Sequence, residues 1–426
     1  MSIIELGEIR EEPASAPPVR RPRAAGRPLR SAAVLVLSLV VLAGAAPQPQ
    51  RTVSVVPASR TATAYLAGDG VFVVDPPTPG GARYLTAYVQ PEPTGAGVRR
   101  RWQAPLARTG DSLDVRIERG LVLVLGVSAP NRRFQTTAFD TATGRQRWQH
   151  PGAAQPTTGG GLLVTNGRAD GSGAMSGVEP DTGLVLWSVP LPPDASPTYH
   201  LTPEGQVDRF VLLQPTGEVQ VYDADAGHLL RSVDTLPGDR SAYQRVHIVD
   251  DLLLLVPPGS TRLVSYGLAE LEPRWTAEVT LVSHVLDCGG LLCAIPQTGG
   301  LQVLDPATGV VRWSEPGQDN LADVRYGRLL MAKPGQGYEV RDAATGQVRA
   351  ELGAWSLLPV VRPDDPLVGV RRADGGRMVV AELDLVAGRS RIVDVLSGIV
   401  GSCTASLPVL LCQRLDGTTA LWRLTR

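Results

Sequence analysis

The chain has 426 residues, a formal net charge of −1 and 5% aromatic residues, so no global field draws it to nucleic acid or to an anionic membrane surface. Lys333 is its one lysine among 41 basic side chains, which excludes a Walker-A lysine, a kinase strand lysine and a Ser-x-x-Lys nucleophile pair. A chain of this length is usually divided into two or three domains, unless one repetitive fold absorbs it.

Residues 1–30 contain Pro13, Pro17, Pro18, Pro22 and Pro28 and few large apolar residues beyond the first nine. Such a segment buries too little surface to offset its ordering entropy, and a disordered cytoplasmic tail is expected. Residues 31–46 form an uncharged run preceded by Arg20, Arg21, Arg23, Arg27 and Arg30. Basic residues on that side orient the run with its N-terminus inside, so a transmembrane signal-anchor helix is expected, though the run is short for a full span. The alternative is a signal peptide cleaved after Ala43-Gly44-Ala45 and a secreted product. Both readings export residues 47–426. Residues 47–51 read as a stiff polar linker, and Thr52-Val53-Ser54-Val55-Val56 as a strand.

From there one phrase returns along the chain. Ala138-Phe139-Asp140-Thr141-Ala142-Thr143-Gly144 is followed by Trp148, and the pattern recurs at Asp181-Thr182-Gly183 with Trp187 and at Asp305-Pro306-Ala307-Thr308-Gly309 with Trp313. Weaker echoes end at Gly227, Gly346 and Gly388. An acid that bonds its own backbone, then a glycine free to take positive φ, is the chemistry of a hairpin turn. Gly144, Gly183, Gly309 and Gly346 are therefore expected to be left-handed. Positions matching the tryptophan fall at Trp102, Trp148, Trp187, Arg231, Trp275, Trp313, Ala350 and Ile392, a period near forty residues. Each period holds several short strands, and no amphipathic helix of ten residues or more interrupts them. The expectation is an all-β propeller of four-stranded blades over residues 52–426, with tryptophans packed between blades.

The Asp-Ala-x-Thr-Gly-x-x-x-Trp phrase resembles the repeat of the PQQ-binding-like propellers, which include quinoprotein dehydrogenases and the BamB lipoproteins of outer-membrane assembly. A literal count gives eight complete units plus one shared between the ends, with Thr52–Val56 as its missing outer strand. The resemblance implies eight blades; eight are expected, within a range of seven to nine.

Cys288 and Cys293 flank Gly289-Gly290-Leu291-Leu292, while Cys403 and Cys412 flank residues 404–411. Both pairs fall across the hairpin joining the first two strands of a unit, in a chain read as exported, and disulfides Cys288–Cys293 and Cys403–Cys412 are expected. A tight Gly289-Gly290 turn would set the first pair diagonal, near the limit for bridging. The alternative is four buried thiols.

The chain offers little that signals catalysis. Its five histidines, His150, His200, His228, His247 and His284, stand singly, and no Gly-x-Ser-x-Gly elbow occurs. Asp223-Ala224-Asp225-Ala226-Gly227 resembles a calcium loop but sits at the repeat's own turn and lacks a downstream Glu. The resemblance to quinoproteins implies a Cys-Cys pair and Glu/Asn calcium ligands, yet there is no Cys-Cys, and Asn occurs only at 131, 166 and 320. No cofactor, metal or catalytic residue is expected. The reading is a membrane-held scaffold for an envelope protein or an anionic polymer, with no nucleic-acid partner; the alternative is a PQQ-dependent quinoprotein-type dehydrogenase. Three long loops between second and third strands, at 75–83, 128–133 and 166–173, belong to the first three units. Their Arg83, Arg132, Arg133 and Arg168 are expected to form a basic docking patch.

Overall fold

The computed structural model of the protein describes residues 52–424, except 79–80, 92–96, 107–108, 129–132, 168–170, 194, 236–244, 258–260, 318 and 362–363. The expected tail, anchor helix and linker lie outside the described residues. Among those described, no helix is long and apolar enough to cross a membrane.

Nine four-stranded antiparallel sheets follow one another as blades. Blades 1 to 8 span 63–106, 109–151, 153–191, 196–234, 245–278, 282–315, 320–353 and 356–397. Blade 9 takes three strands from 399–423 and its fourth from Thr52–Val56, which pairs with Thr419–Arg423 in the register Val53↔Trp422 and Val55↔Ala420. The eight-blade expectation is thereby corrected to nine. Every unit of the literal count makes its own sheet, and the divided one is completed across the two ends of the propeller chain.

Burial explains the sequence pattern of a blade. Second strands lie between neighbouring sheets and read as continuous apolar runs: Gly70–Val74 and Leu252–Val256 are buried at every residue. Fourth strands form the rim, and Leu229–Asp234 is exposed at all but one position. First strands lie nearest the axis, as in Arg245–Val249, where buried and half-exposed residues alternate.

Each of the nine apolar clusters among the described residues straddles one junction between consecutive blades. Blade 1 shares Val74, Leu85, Trp102 and Phe139 with blade 2, and so on round to blades 8 and 9. The last joins Val409, Leu411 and Leu421 of blade 9 to Leu66, Val71 and Val73 of blade 1 and closes the ring. Closure leaves the sheets packed on both faces all round.

The repeated phrase makes the polar part of each junction. Gly144, Gly183, Gly309 and Gly346 have φ between 70° and 74°, as expected. Trp102, Trp148, Trp187, Trp275 and Trp313 each dock on the turn of the next blade, not on their own. Trp102 Nε1 donates to Thr141 O at 2.8 Å, Trp275 to Pro306 O at 2.7 Å and Trp313 to Ala343 O at 2.9 Å. A Cβ at Gly144 would stand 2.5 Å from the Trp102 ring, and one at Gly309 would stand 2.4 Å from Trp275. Blade 4 has Arg231 in place of the tryptophan, and the following turn has Leu271 at φ 57° in place of glycine. Trp102 and Trp148 are buried, while Trp187, Trp275 and Trp313 are half-buried.

Both disulfides are formed. Cys403 and Cys412 face each other directly in register, with Cα atoms 4.1 Å apart. Gly289 and Gly290, at φ 77° and 83°, do make the tight turn, so Cys288 lies diagonal to Cys293; the Cα separation of 5.8 Å still falls within bridging range.

Gly309→Ala should lower stability by more than about 1 kcal/mol from left-handed strain alone, with the ring clash in addition. Gly290→Ala carries the same strain with nothing within 4 Å of the new carbon. Urea unfolding should rank Gly309→Ala well below Gly290→Ala, and Trp275→Ala should erase the difference by relieving about 1 kcal/mol or more. Equal costs for the two glycines would refute ring docking. Reduction of both disulfides should lower stability by about 2–3 kcal/mol per bridge, read as a drop in Tm under reductant.

Candidate functional site

Three regions carry polar chemistry: the turn face, the face that bears the loops after the second strands, and the axial wall. On the turn face the acids of the phrase are committed to structure. Asp140 Oδ1 accepts from the backbone N–H groups of Ala142 and Thr143 and from the Thr143 hydroxyl, while Arg147 Nη2 reaches Oδ2 at 2.7 Å. Arg147 is the extra residue of a β-bulge between third and fourth strands, and the bulge aims it back at the turn. Arg312 and Arg349 do the same for Asp305 and Asp342.

These contacts lower the acids' pKa values. The Arg147 bond, with Thr143, takes Asp140 far below the carboxylate range, and the Arg312 bond lowers Asp305. Burial opposes the shift at Asp342, yet Arg349, Arg328 and Thr345 bring it down to about 2. Asp223 caps its own turn through the N–H groups of Asp225 and Ala226, and Asp225 is held by the Thr158 hydroxyl at 3.0 Å and Gly159 N at 2.7 Å. The apparent calcium loop is thus a turn clamped by blade 3.

The opposite face carries the loops after the second strands. The expectation of three long ones is corrected: residues 75–82 follow the second strand of blade 1, but only 129–132 and 168–172 follow those of blades 2 and 3, no longer than 257–261 in blade 5, because the strands run on through Ser128 and Gly167. Arg83 opens the third strand of blade 1, its Nε donating to Asp75 O at 3.1 Å. Burial raises the pKa of Asp75. Arg133 opens the third strand of blade 2, half-buried, with a buried Nε that has no hydrogen-bond partner. Arg132 and Arg168 lie outside the described residues. Two of the four expected arginines are therefore located, each opening the third strand of its blade; counted from Ala87 and Ala138, which pair with Trp102 and Trp148, they stand one position out of step.

The axial wall was not legible as a site. Arg116 bonds Asp114 at 3.2 Å and reaches Gln155 of the next blade at 3.1 Å, and Arg245 reaches Ser283 O of the next blade at 2.9 Å. His200, His247 and His284 stand on the first strands of blades 4, 5 and 6. Their sequence separations, close to the blade period, were the available signal.

A closed ring of PQQ-like blades, with interblade tryptophan docking, defines the class. The chain belongs to the family whose model is described as outer membrane protein assembly factor BamB and matches residues 92–315. No curated protein matches it. Among solved structures it is similar to the computationally designed Ika8 protein, at 17% identity over 73% of this chain and 96% of that one, TM-score 0.49. BamB from Moraxella catarrhalis gives 13% identity, 87% and 98% coverage and TM-score 0.42. The WD40 domain of SCAP from fission yeast gives 12%, 88% and 98%, and 0.44. The quinoprotein cofactor does not fit: all four cysteines are bonded in blades 6 and 9, which leaves no adjacent Cys-Cys ring.

Because the folded pKa values of Asp140, Asp305 and Asp342 lie below the unfolded value, their stabilisation is complete above about pH 4. It is lost as pH falls toward about 2 for Asp342. Thermal melts between pH 7 and 2.5 should show Tm falling below pH 4. Asp342→Asn should be less stable than the native protein at pH 7, with the gap closing in acid. A gap independent of pH would remove the charge contribution.

Proposed function

We propose that this propeller is a non-catalytic interaction scaffold at the cell envelope, held on the outer side of a membrane by residues 31–46, and that its partner docks on the face of blades 1–3 that bears the loops after the second strands. The observation that carries the reading is the pair Arg83 and Arg133, which open the third strands of adjacent blades, Arg133 with a buried Nε that has no hydrogen-bond partner. Arginine forks on a nearly neutral protein suit an acidic protein surface or an anionic envelope polymer, through paired bonds to carboxylate or phosphate. Membership of a family described by its part in outer-membrane protein assembly supports a partner-binding role. The turn face is a poorer candidate, because Asp140, Asp305 and Asp342 are already used within their turns and its glycines between blades.

Two measurements test the proposal. A tag after Arg426 should be cut by protease added to intact cells or spheroplasts; a protected tag would refute export. Arg132, Arg133 and Arg168, replaced together by Glu, should abolish partner capture in envelope crosslinking without moving Tm. Full capture by that triple variant would eliminate the patch.

A further inference from the structure

Trp102, Trp148, Trp187, Trp275 and Trp313 each donate the indole N–H to a carbonyl just after the first acid of the next blade's turn, at Thr141, Pro180, Asp225, Pro306 and Ala343. The turn of blade 8 keeps that seat. Asp384 caps it through the N–H groups of Val386 and Ala387, and Gly388 is left-handed at φ 62°. Blade 7, however, brings Ala350 to Gly388 where other blades bring an indole. The corresponding carbonyl belongs to Leu385, which is 4% exposed and has no backbone hydrogen bond among the described residues. A buried carbonyl without a donor is costly. After blade 4, by contrast, Leu271 replaces the glycine and closes the seat with its own side chain.

A cleft of about 230 Å3 opens beside Leu385 between blades 7 and 8, and its apolar lining is Tyr326, Leu367, Leu383, Leu385 and Val386. Leu367, Leu383 and Leu385 also pack in the cluster that holds Ala350, so cleft and seat adjoin. Tyr326 is 79% exposed and stands at φ 53° in the hairpin turn of blade 7. Packing does not account for a large aromatic held outward in that conformation, and such outliers gather at binding sites. We propose that this cleft seats an aromatic ring with an N–H donor, brought by a partner protein as a tryptophan side chain. The ring lies against Tyr326 and the leucines, and the N–H completes the Leu385 carbonyl.

Size, donor and charge all select that occupant. A cavity of about 150 Å3 already holds a benzene ring, and the docked indoles of this same chain fit the equivalent turns. The carbonyl takes only a donor, which excludes a phenyl ring. Asp364, Glu382 and Asp384 line the cleft, while Arg391 matches Glu382 alone and Arg325 is committed to Asp323 at 3.0 Å. The excess of carboxylate disfavours phosphate or a free amino acid with its own carboxylate, and favours a neutral side chain within a polypeptide. The seat lies on the turn face, apart from Arg83 and Arg133, so it stands or falls separately from the docking reading above.

The test uses the full chain in detergent, with N-acetyl-L-tryptophanamide as probe and equilibrium dialysis as readout. The probe should bind saturably, and its 1-methylindole analogue, which lacks the N–H, should bind at least about fivefold more weakly. Tyr326→Ala should weaken binding by about fivefold or more without lowering Tm. Ala350→Trp should supply an indole from within the chain, abolish probe binding and raise Tm. The variant with Arg132, Arg133 and Arg168 replaced by Glu should bind the probe as the native chain does. A photoreactive benzophenone residue in place of Tyr326 should crosslink, in envelope preparations, to a protein segment that contains tryptophan. If Ala350→Trp fails to fold, Tyr326→Ala and the methylated probe decide, since Tyr326 is exposed. A native chain that does not bind the probe, a Tyr326→Ala variant that binds it unchanged, or crosslinks that reach no tryptophan-containing segment, overturns the proposal.

Discussion

The structure depends on one contact: an indole from one blade lying flat against a glycine of the next. The ring approaches so closely that no Cβ fits, at 2.5 Å for Gly144 under Trp102 and 2.3 Å for Gly227 under Trp187. The same indole donates to a carbonyl of that turn, so packing and hydrogen bonding are satisfied at one place. Because the partner is always the following blade, the phrase works as a link between units. Where the indole is missing the contact differs: after blade 4 the next turn holds Leu271, which packs with Val219 and Val221, whereas after blade 7 the next turn keeps Gly388 against Ala350.

The link also divides labour between the two faces. On the turn face Asp140, Asp305 and Asp342 are each used twice, by their own turn and by an arginine that a bulge directs back to them, as in Asp140 with Arg147. Length changes there would break a junction. The opposite face bears no such duty, so loops after the second strands vary in length, from residues 334–336 between Arg328–Lys333 and Gly337–Asp342 to residues 75–82 between Gly70–Val74 and Arg83–Val89. Ring closure by Thr52–Val56 serves the same economy, since it pairs the outer edge of blade 9 with the chain's first described strand.

Much of this could be read from residues. The Asp-to-Gly spacing announces a turn whatever surrounds it, because an acid bonding its own backbone and a glycine at positive φ are local events. A period near forty residues with short apolar runs leaves few folds but a propeller. The cysteine pairing came from equivalent hairpin positions, and the literal count of units was sound; the resemblance, with its eight blades, led away from it. Less visible was the partner of each tryptophan, since nothing in Trp148 says that it meets Pro180 and Gly183 rather than Gly144.

The sequence by itself determined the unit: its four strands, its turn, its bridging cysteines and the strand held back at its start. These depend on alternation, turn chemistry and short separations, which act within some forty residues. Only the tertiary structure decided how units meet. The curvature of the ring admits nine junctions and sets indole on neighbouring glycine. It also brings His247 and His284, 37 residues apart, to 4.9 Å. Such contacts are made between blades, and their geometry is fixed by sheet twist and packing around an axis that no single repeat encodes.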